Sequence, residues 1–304
     1  MRTLVIGAGA VGGYFGGRLL QAQRDVTFLV RPGRARELAN SGLQIRSASG
    51  NAVIAAPPTI FAKDLADPFD LVLLSCKAYD LESAISSMAP AVGPNTAILP
   101  LLNGMRHLNI LDASFGPSRV LGGRCLIAAT LNKQRQIVHL NNNHALTFGE
   151  RDGSMSDRVI AIGALMNGAL FDHQASPHIL LEMWEKWTFL ATLAGSTCLF
   201  RGAVGDICAA PGGSEFVMRL FEECRSIAEV EGFPPSPAFL ERSRSILTEA
   251  GSPLTASMLR DIEAGAPIEA DHIIGDLLNR VEKPMLRIAF SALKTYEARR
   301  SRML

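Results

Sequence analysis

Residues 1–20 read MRTLVIGAGAVGGYFGGRLL, and the run Gly7-Ala8-Gly9-Ala10-Val11-Gly12 within them decides the fold. An apolar strand pattern precedes these glycines, and a helical pattern follows them. In this setting Gly7 permits a tight turn, Gly9 lets the backbone approach a pyrophosphate, and Gly12 lets helix and strand pack closely. The N–H groups at the helix N-terminus then bind the phosphates. The sequence therefore predicts a dinucleotide site at residues 7–12.

The next strand indicates which dinucleotide binds. Its pattern runs over Asp25–Val30 and ends at Arg31, with Arg34 and Arg36 close behind. A site for NAD usually carries an acidic residue there, which bonds the ribose 2′-hydroxyl. A guanidinium instead binds a 2′-phosphate through paired hydrogen bonds. This arrangement favours NADP(H), and the alternative interpretation is an ordinary solvated basic loop.

Two more strand ends carry polar residues. Phe69–Ser75 is a continuous apolar run, typical of a buried parallel strand, and Lys77 follows it. The strand predicted over Thr96–Leu101 is followed by Asn103. Ligands of an open parallel sheet bind past the carboxyl ends of its strands. Lys77 and Asn103 are therefore candidate ligand contacts, like Arg31, although each is also compatible with a plain loop position.

The pattern changes character near residue 175. Further strands are predicted over Ala52–Ile60, Val120–Leu131 and Ile137–Phe148, whereas almost everything after residue 175 is helical. Ser176-Pro177 is typical of a helix N-cap followed by proline at the first helical position. The predicted fold is an α/β N-terminal Rossmann-type doubly wound sheet (residues 1–175) plus an all-α C-terminal domain (residues 176–304).

Bulk properties narrow the class of protein. The chain has 304 residues and a formal net charge of +1, without the basic stripe that nucleic-acid binding requires. No apolar run reaches the roughly 20 residues that span a bilayer. The N-terminus lacks the pattern of a secretory signal, and the five cysteines are scattered without a C-x-x-C pair. We therefore expect reduced thiols, a cytoplasmic protein and no metal site.

Two residues of the helical half stand out for their chemistry. Lys186 lies in an otherwise apolar helix predicted over residues 178–195, where a catalytic role competes with a salt bridge to Glu182. A second helix pattern ends at Gly265, a glycine C-cap, and another begins near Pro267. Glu269 falls in the first turn of that helix, where the helix dipole alone favours an acid.

At this point the chain resembles the ketopantoate reductase (2-dehydropantoate 2-reductase) family along essentially its whole length. The glycine motif is shared with many families and is weak evidence by itself. Turns and spacings specific to the family carry the resemblance: Cys76-Lys77-Ala78, Asn103-Gly104-Met105, Trp184-x-Lys186, Ser257-Met258-x-x-Asp261 and Glu269-x-Asp271-x-x-x-Gly275.

The resemblance implies reduction of a 2-oxo acid with NADPH, ketopantoate to pantoate in pantothenate biosynthesis. It makes Lys186 the proton donor and Glu269 the carboxylate that keeps this lysine charged and contacts the cofactor. Ser257 matches the serine that binds the substrate carboxylate, and Asn103 matches an asparagine near both nicotinamide and substrate. The remaining cofactor contacts that it implies are Gly7, Ala8, Gly9, Ala10, Val11, Gly12, Arg31, Lys77 and Ala129. The reaction site is expected between the two domains.

The chain departs from the family at two positions on the face that bears the lysine. Family members that reduce ketopantoate carry asparagines four and eight residues after it, where this chain has Leu190 and Ala194. Three interpretations therefore stay open: ketopantoate reductase, a related NADPH-dependent 2-hydroxyacid dehydrogenase with a less polar substrate, and a non-catalytic NADP(H) sensor. Apolar faces at Ile273–Val281 and Leu286–Leu293 are compatible with a homodimer interface or with packing inside the monomer.

Overall fold

The computed structural model describes residues 1–303, which form two compact units. Unit 1 comprises residues 1–102 and 107–179, and unit 2 comprises residues 103–106 and, within the described part of the chain, 180–303. The elements through residue 175 are, in chain order, β1 (Thr3–Ile6), α1 (Ala10–Gln21), β2 (Val26–Leu29), α2 (Pro32–Ser41), β3 (Leu43–Arg46), β4 (Ala52–Ile54), β5 (Thr59–Ile60), β6 (Leu71–Leu74), α3 (Leu81–Met88), β7 (Ala97–Pro100), α4 (Arg106–Phe115), β8 (Gly122–Leu131), β9 (Ile137–Gly149), α5 (Asp157–Met166) and β10 (Asp172–Ala175).

The predicted parallel sheet is confirmed. Its five strands run in the order β5-β2-β1-β6-β7, and every pairing between neighbours is parallel. All residues of β1, β6 and β7 are buried, as expected for strands covered on both faces. Helix α1 packs so closely on β2 that a Cβ on Gly16 would lie 2.7 Å from the Phe28 ring.

Unit 1 also contains a second, mixed sheet that the sequence pattern did not indicate. Its order is β10-β9-β3-β4, with β8 paired antiparallel to β9. The single strand predicted over Ala52–Ile60 is wrong, because β4 pairs with β3 in this sheet whereas β5 pairs with β2 in the parallel one. Pro57 and Pro58 separate them, and proline cannot donate to a strand ladder.

The remaining elements of the chain are helical, as predicted. They are α6 (Ile179–Phe200), α7 (Val204–Ala209), α8 (Gly213–Val230), α9 (Pro237–Leu247), α10 (Ser257–Glu263), a π-helical turn (Asp271–Gly275), α11 (Asp276–Arg280) and α12 (Pro284–Ser301). The core of unit 2 includes Trp184, Trp187, Phe221, Ile274 and Leu286, each at most 1% exposed. Burying side chains of this size stabilises the fold by about 1.5–3 kcal/mol each.

Two helices begin later in the structure than the sequence pattern predicts. Helix α6 begins at Ile179 rather than directly after Ser176, because the Ser176 N–H still donates to the Phe148 carbonyl of β9 at 2.8 Å. Helical structure after α10 begins at about Ala270 rather than near Pro267. The glycine cap of α10 is confirmed: Gly265 has φ +67°, and the next N–H, of Ala266, donates back to the Asp261 carbonyl.

Candidate active site

The glycine-rich turn of unit 1 has the backbone that a dinucleotide site needs. Gly7 has φ +87°, which glycine adopts at little cost, and Gly9 stands at the N-cap of α1. The space where a Cβ on either glycine would project holds no atom within 4 Å. The first N–H groups of a helix have no acceptor within the helix. The turn through Ala8 and the first helical residues, Ala10 and Val11, therefore fits a pyrophosphate.

Gly12 serves a packing role. A Cβ there would lie 2.0 Å from Ser75 Oγ and 2.5 Å from the Gly7 carbonyl oxygen. Ser75 follows β6, and its hydroxyl donates to the Ile6 carbonyl at 2.8 Å. Only glycine at position 12 lets helix α1 approach the ends of β1 and β6 this closely.

The two arginines after β2 differ in their surroundings. Arg31 is the N-cap residue of α2, its side chain is 74% exposed, and its guanidinium is 2.9 Å from Asp80 Oδ1. Arg34 is only 11% exposed: its Nε donates to the Ala8 carbonyl at 3.0 Å, and it pairs with Glu37 at 2.8 Å. Arg34 and then Arg135 hold the pKa of Glu37 below its usual value. Arg34 thus supports the glycine turn, whereas Arg31 presents its charge to solvent.

The other cofactor candidates of unit 1 lie on two different elements. Lys77 directly precedes the short 3₁₀ turn Ala78–Asp80, so it lies three residues from the carboxylate that pairs with Arg31. Ala129 lies in β8 opposite His139, next to an irregularity in the strand pairing.

In unit 2, Lys186 is half-buried on α6. Because α6 is continuous, residues four and eight positions further on share its face. These residues are Leu190, which is half-buried, and Ala194, which is 4% exposed. The two positions that follow Lys186 on its face of α6 are therefore apolar.

A buried hydrogen bond joins α6 to the segment that carries Glu269. The indole Nε1–H of Trp187, the residue after Lys186, donates to the Ile273 carbonyl at 2.9 Å. The Ile273 N–H in turn donates to the Glu269 carbonyl at 2.9 Å.

Two more hydrogen bonds join the remaining predicted residues to this group. His272 Nε2 lies 2.8 Å from the Asn103 carbonyl oxygen. The N–H of Ala256, the N-cap of α10, donates to Thr197 Oγ1 on α6 at 3.3 Å, and the exposed Ser257 is the first residue of α10. The bonds from Trp187, His272 and Ala256 thus join the four segments that carry Lys186, Glu269, Asn103 and Ser257.

Two buried titratable groups accompany this arrangement. Burial lowers the pKa of His272, against the carboxylates of Glu269 and Asp276, which act to raise it, and alongside Arg106, which lowers it. Burial likewise raises the pKa of Asp276, with Arg280 opposing that shift. The low pKa favours a neutral His272 imidazole near neutral pH.

Three residues of the site region escaped the sequence pattern. The sequence places Arg34 in a basic run without distinguishing it, and no motif of the chain marks Thr197 or His272. Their partners lie 26, 59 and 169 positions away along the chain. The one local signal was His272 itself, a titratable residue immediately before the apolar pair Ile273-Ile274.

Residues 1–303 contain neither a cluster of metal-ligating side chains nor a candidate membrane-spanning helix. No group of three or more His, Cys, Asp or Glu side chains is placed to hold a metal ion. Within the same described part of the chain, no helix is both long enough and apolar enough to cross a membrane.

Known proteins are similar to this chain in sequence or in fold. One relative, an uncharacterized oxidoreductase YkpB of Bacillus subtilis, is 37% identical over 303 residues, 98% of this chain and 99% of the relative. The crystal structure of 2-dehydropantoate 2-reductase from Methylococcus capsulatus superimposes with a TM-score of 0.87 at 27% identity, covering 99% of this chain and 98% of that one. A ternary structure of D-mandelate dehydrogenase with NADH and anilino(oxo)acetate shares the fold, with a TM-score of 0.87 at 19% identity and coverage of 99% and 100%.

Two family models cover most of the chain. The model described as ketopantoate reductase PanE/ApbA matches residues 3–153, and that of the C-terminal part of the same family matches residues 178–297. The resemblance noted in the sequence is thereby confirmed: the chain belongs to the ketopantoate reductase (PanE/ApbA) family of oxidoreductases.

Proposed function

We propose that this chain reduces a 2-oxo acid to the 2-hydroxy acid with NADPH, with Lys186 as the proton donor. The observation that carries the proposal is the set of three hydrogen bonds in unit 2 that joins the segments of Lys186, Glu269, Asn103 and Ser257. Membership of the ketopantoate reductase family supports the reaction class.

The residues of the glycine-rich turn would hold the nicotinamide cofactor, which would supply the hydride for reduction of the substrate carbonyl. Lys186 donates a hydrogen bond to the keto oxygen, polarises the carbonyl, and transfers its proton to the oxygen as negative charge develops there. The lysine is left neutral and regains a proton from solvent. The Glu269 carboxylate favours the charged ammonium form of Lys186 before the reaction. The Ser257 hydroxyl donates a hydrogen bond to the substrate carboxylate, and Asn103 orients substrate and nicotinamide.

We further propose NADPH rather than NADH as the reductant. Arg31 stands at the end of β2, where an NAD site usually carries an acidic residue. Its guanidinium is mostly exposed and pairs with Asp80, and a 2′-phosphate can exchange for that carboxylate.

Ketopantoate is the first candidate substrate, consistent with the family name. A less polar 2-oxo acid is the second, and Leu190 and Ala194 favour it. A site that lacks hydrogen-bonding groups for a substrate hydroxyl loses the discrimination those groups provide, often by orders of magnitude. Leu190 and Ala194 themselves carry no group that could hydrogen-bond to the ketopantoate hydroxyl.

The deciding experiment follows NADPH oxidation with ketopantoate, with 3-methyl-2-oxobutanoate (ketopantoate without its hydroxymethyl group) and with an aromatic 2-oxo acid. Lys186→Ala is expected to lower kcat by about 10²–10⁴-fold, while the exposed-surface control Lys63→Ala retains full activity. Strong preference for ketopantoate excludes the second candidate. Binding of NADPH without turnover of any acid contradicts the proposal and favours a sensor.

A further inference from the structure

We propose that His272 is a positioning residue, which clamps the turn Asn103-Gly104 and so places the Asn103 side chain for the reaction. The inference rests on the proposed function, and it adds a residue that neither the motifs of the chain nor the family comparison assigns.

The contact is direct and shielded from water. His272 is 6% exposed, and its Nε2 lies 2.8 Å from the Asn103 carbonyl oxygen. A carbonyl oxygen only accepts hydrogen bonds, so Nε2 carries the hydrogen and donates it. The two residues lie 169 positions apart in sequence, so the contact depends on the tertiary structure.

The turn is shaped to the histidine. Gly104 has φ +73°, and a Cβ on it would lie 3.1 Å from the His272 carbonyl oxygen and 3.2 Å from the ring carbon Cδ2. The backbone of the turn therefore packs against both the ring and the main chain of His272. We infer that these contacts restrict movement of the Asn103-Gly104 backbone and therefore limit the positions that the Asn103 side chain can take.

His272 lies in a segment that contains two other residues connected with the proposed site, Glu269 and Ile273. Glu269 lies three residues before His272, and Ile273, the next residue, accepts the indole hydrogen bond of Trp187 on α6. Residues 271–275 form a π-helical turn, a geometry that recurs at functional sites. Residues 269–273 thus carry the Glu269 carboxylate, the imidazole that binds the Asn103 carbonyl and the carbonyl that accepts from Trp187 on the helix of Lys186.

The charges around His272 are compatible with this role. The groups that face it are the carboxylates of Glu269 and Asp276 and the guanidinium of Arg106. The imidazole donates through Nε2 whether neutral or protonated, so the clamp persists across the pH range of folding. A purely structural histidine would change stability alone, whereas a positioning residue changes catalysis through Asn103.

The test compares His272→Gln with His272→Phe. Glutamine retains an N–H donor for the Asn103 carbonyl, whereas phenylalanine fills the space without one. We expect His272→Phe to lower kcat/KM for the 2-oxo acid about 10- to 100-fold, with NADPH affinity within about twofold of the unmodified chain. His272→Gln is expected to restore most of that loss. The exposed His178→Phe serves as the matched control.

Hydrogen exchange measured by mass spectrometry tests the contact between His272 and the Asn103-Gly104 turn independently of activity. The peptide spanning residues 101–108 is expected to exchange faster in His272→Phe than in the unmodified chain or in His272→Gln. Unchanged exchange there, or unchanged kcat/KM in a folded His272→Phe, overturns the inference. An unmodified chain that reduces no 2-oxo acid refutes the proposed function instead, and the exchange comparison still decides whether His272 holds the turn.

Discussion

The indole Nε1–H of Trp187 donates to the Ile273 carbonyl at 2.9 Å, fully buried, across 86 positions of sequence. Trp184 packs beside it with ring centroids 4.8 Å apart, yet its own Nε1 is buried without a hydrogen-bond partner. The two tryptophans therefore form a matched pair in which only one ties α6 to the segment of Glu269.

Trp187→Phe is expected to destabilise the fold by about 1–3 kcal/mol more than Trp184→Phe does, because it removes the buried hydrogen bond to the Ile273 carbonyl, whereas Trp184 Nε1 has no such bond to lose. Both changes lose similar ring volume, so their difference isolates the hydrogen bond. Urea unfolding of both variants measures it. Equal losses of stability would show that the bond contributes nothing beyond packing.

Gly12→Ala is expected to destabilise unit 1 by at least about 2 kcal/mol and to weaken cofactor binding, because the new methyl group overlaps Ser75 Oγ and the Gly7 carbonyl. The control is Gly163→Ala in α5, where the space is open and alanine is the better helix former. That change is expected to stabilise by up to about 1 kcal/mol. Thermal unfolding and titration with NADPH compare the pair, and a Gly12→Ala protein as stable as its parent would refute the close packing.

Arg31→Ala is expected to weaken NADPH binding about 10- to 100-fold and to leave NADH binding nearly unchanged, since only NADPH carries the 2′-phosphate. Arg36→Ala, an exposed arginine on the same helix, is the control. Cofactor titrations by fluorescence measure both affinities. A parallel loss for NADPH and NADH would argue against a phosphate contact.

Leu190→Asn is expected to raise kcat/KM for ketopantoate relative to 3-methyl-2-oxobutanoate by about tenfold, because the amide gives the substrate hydroxyl a partner on the face of Lys186. Leu190→Met keeps the volume without the amide and is expected to leave the ratio unchanged. Steady-state kinetics with the two acids provides the ratio. An unaltered ratio in the asparagine variant would indicate that this face does not meet the hydroxyl.

The lowered pKa of His144 predicts that the folded state loses stability as the pH falls. Burial first, then the charge of His139 and of Arg18, lowers its pKa below the ordinary 6.5, while Asp172 opposes the shift. The folded state thus binds its proton less readily than the unfolded chain, so this stability is present above about pH 6.5 and is lost as the pH falls through the lowered pKa. Tyr14 Oη lies 2.6 Å from His144 Nδ1, so the ring is in contact with a second polar group.

The expected result is a fall in Tm between about pH 7 and pH 5 that His144→Gln makes shallower. His178→Gln, at an exposed position, is expected to leave the slope as it is. Calorimetry across this pH range makes the comparison, and identical slopes in the parent and His144→Gln proteins would exclude His144 as a source.

The sequence predicted those helices, strands and turns that depend on residues close to one another in the chain. The alternation of apolar runs and helical patterns indicated the parallel sheet, and the spacing of Gly7, Gly9 and Gly12 indicated its first turn. The second sheet was missed because β3, β4 and β10 are short and pair with distant β9 or with each other, so no single stretch carries their pattern. The two sheets share one apparent strand at residues 52–60, which only the pairing partners separate.

The sequence by itself determined the glycine turn, the helical second half and the residue types that family motifs require, because each depends on neighbours within a few positions. Tertiary structure alone decided which distant backbones meet: Trp187 with Ile273, His272 with Asn103, and Arg34 with Ala8. These contacts lie between 26 and 169 positions apart. Each contact brings a side-chain donor to a backbone carbonyl of a distant segment, and the local periodicity of the sequence does not encode which distant segments meet.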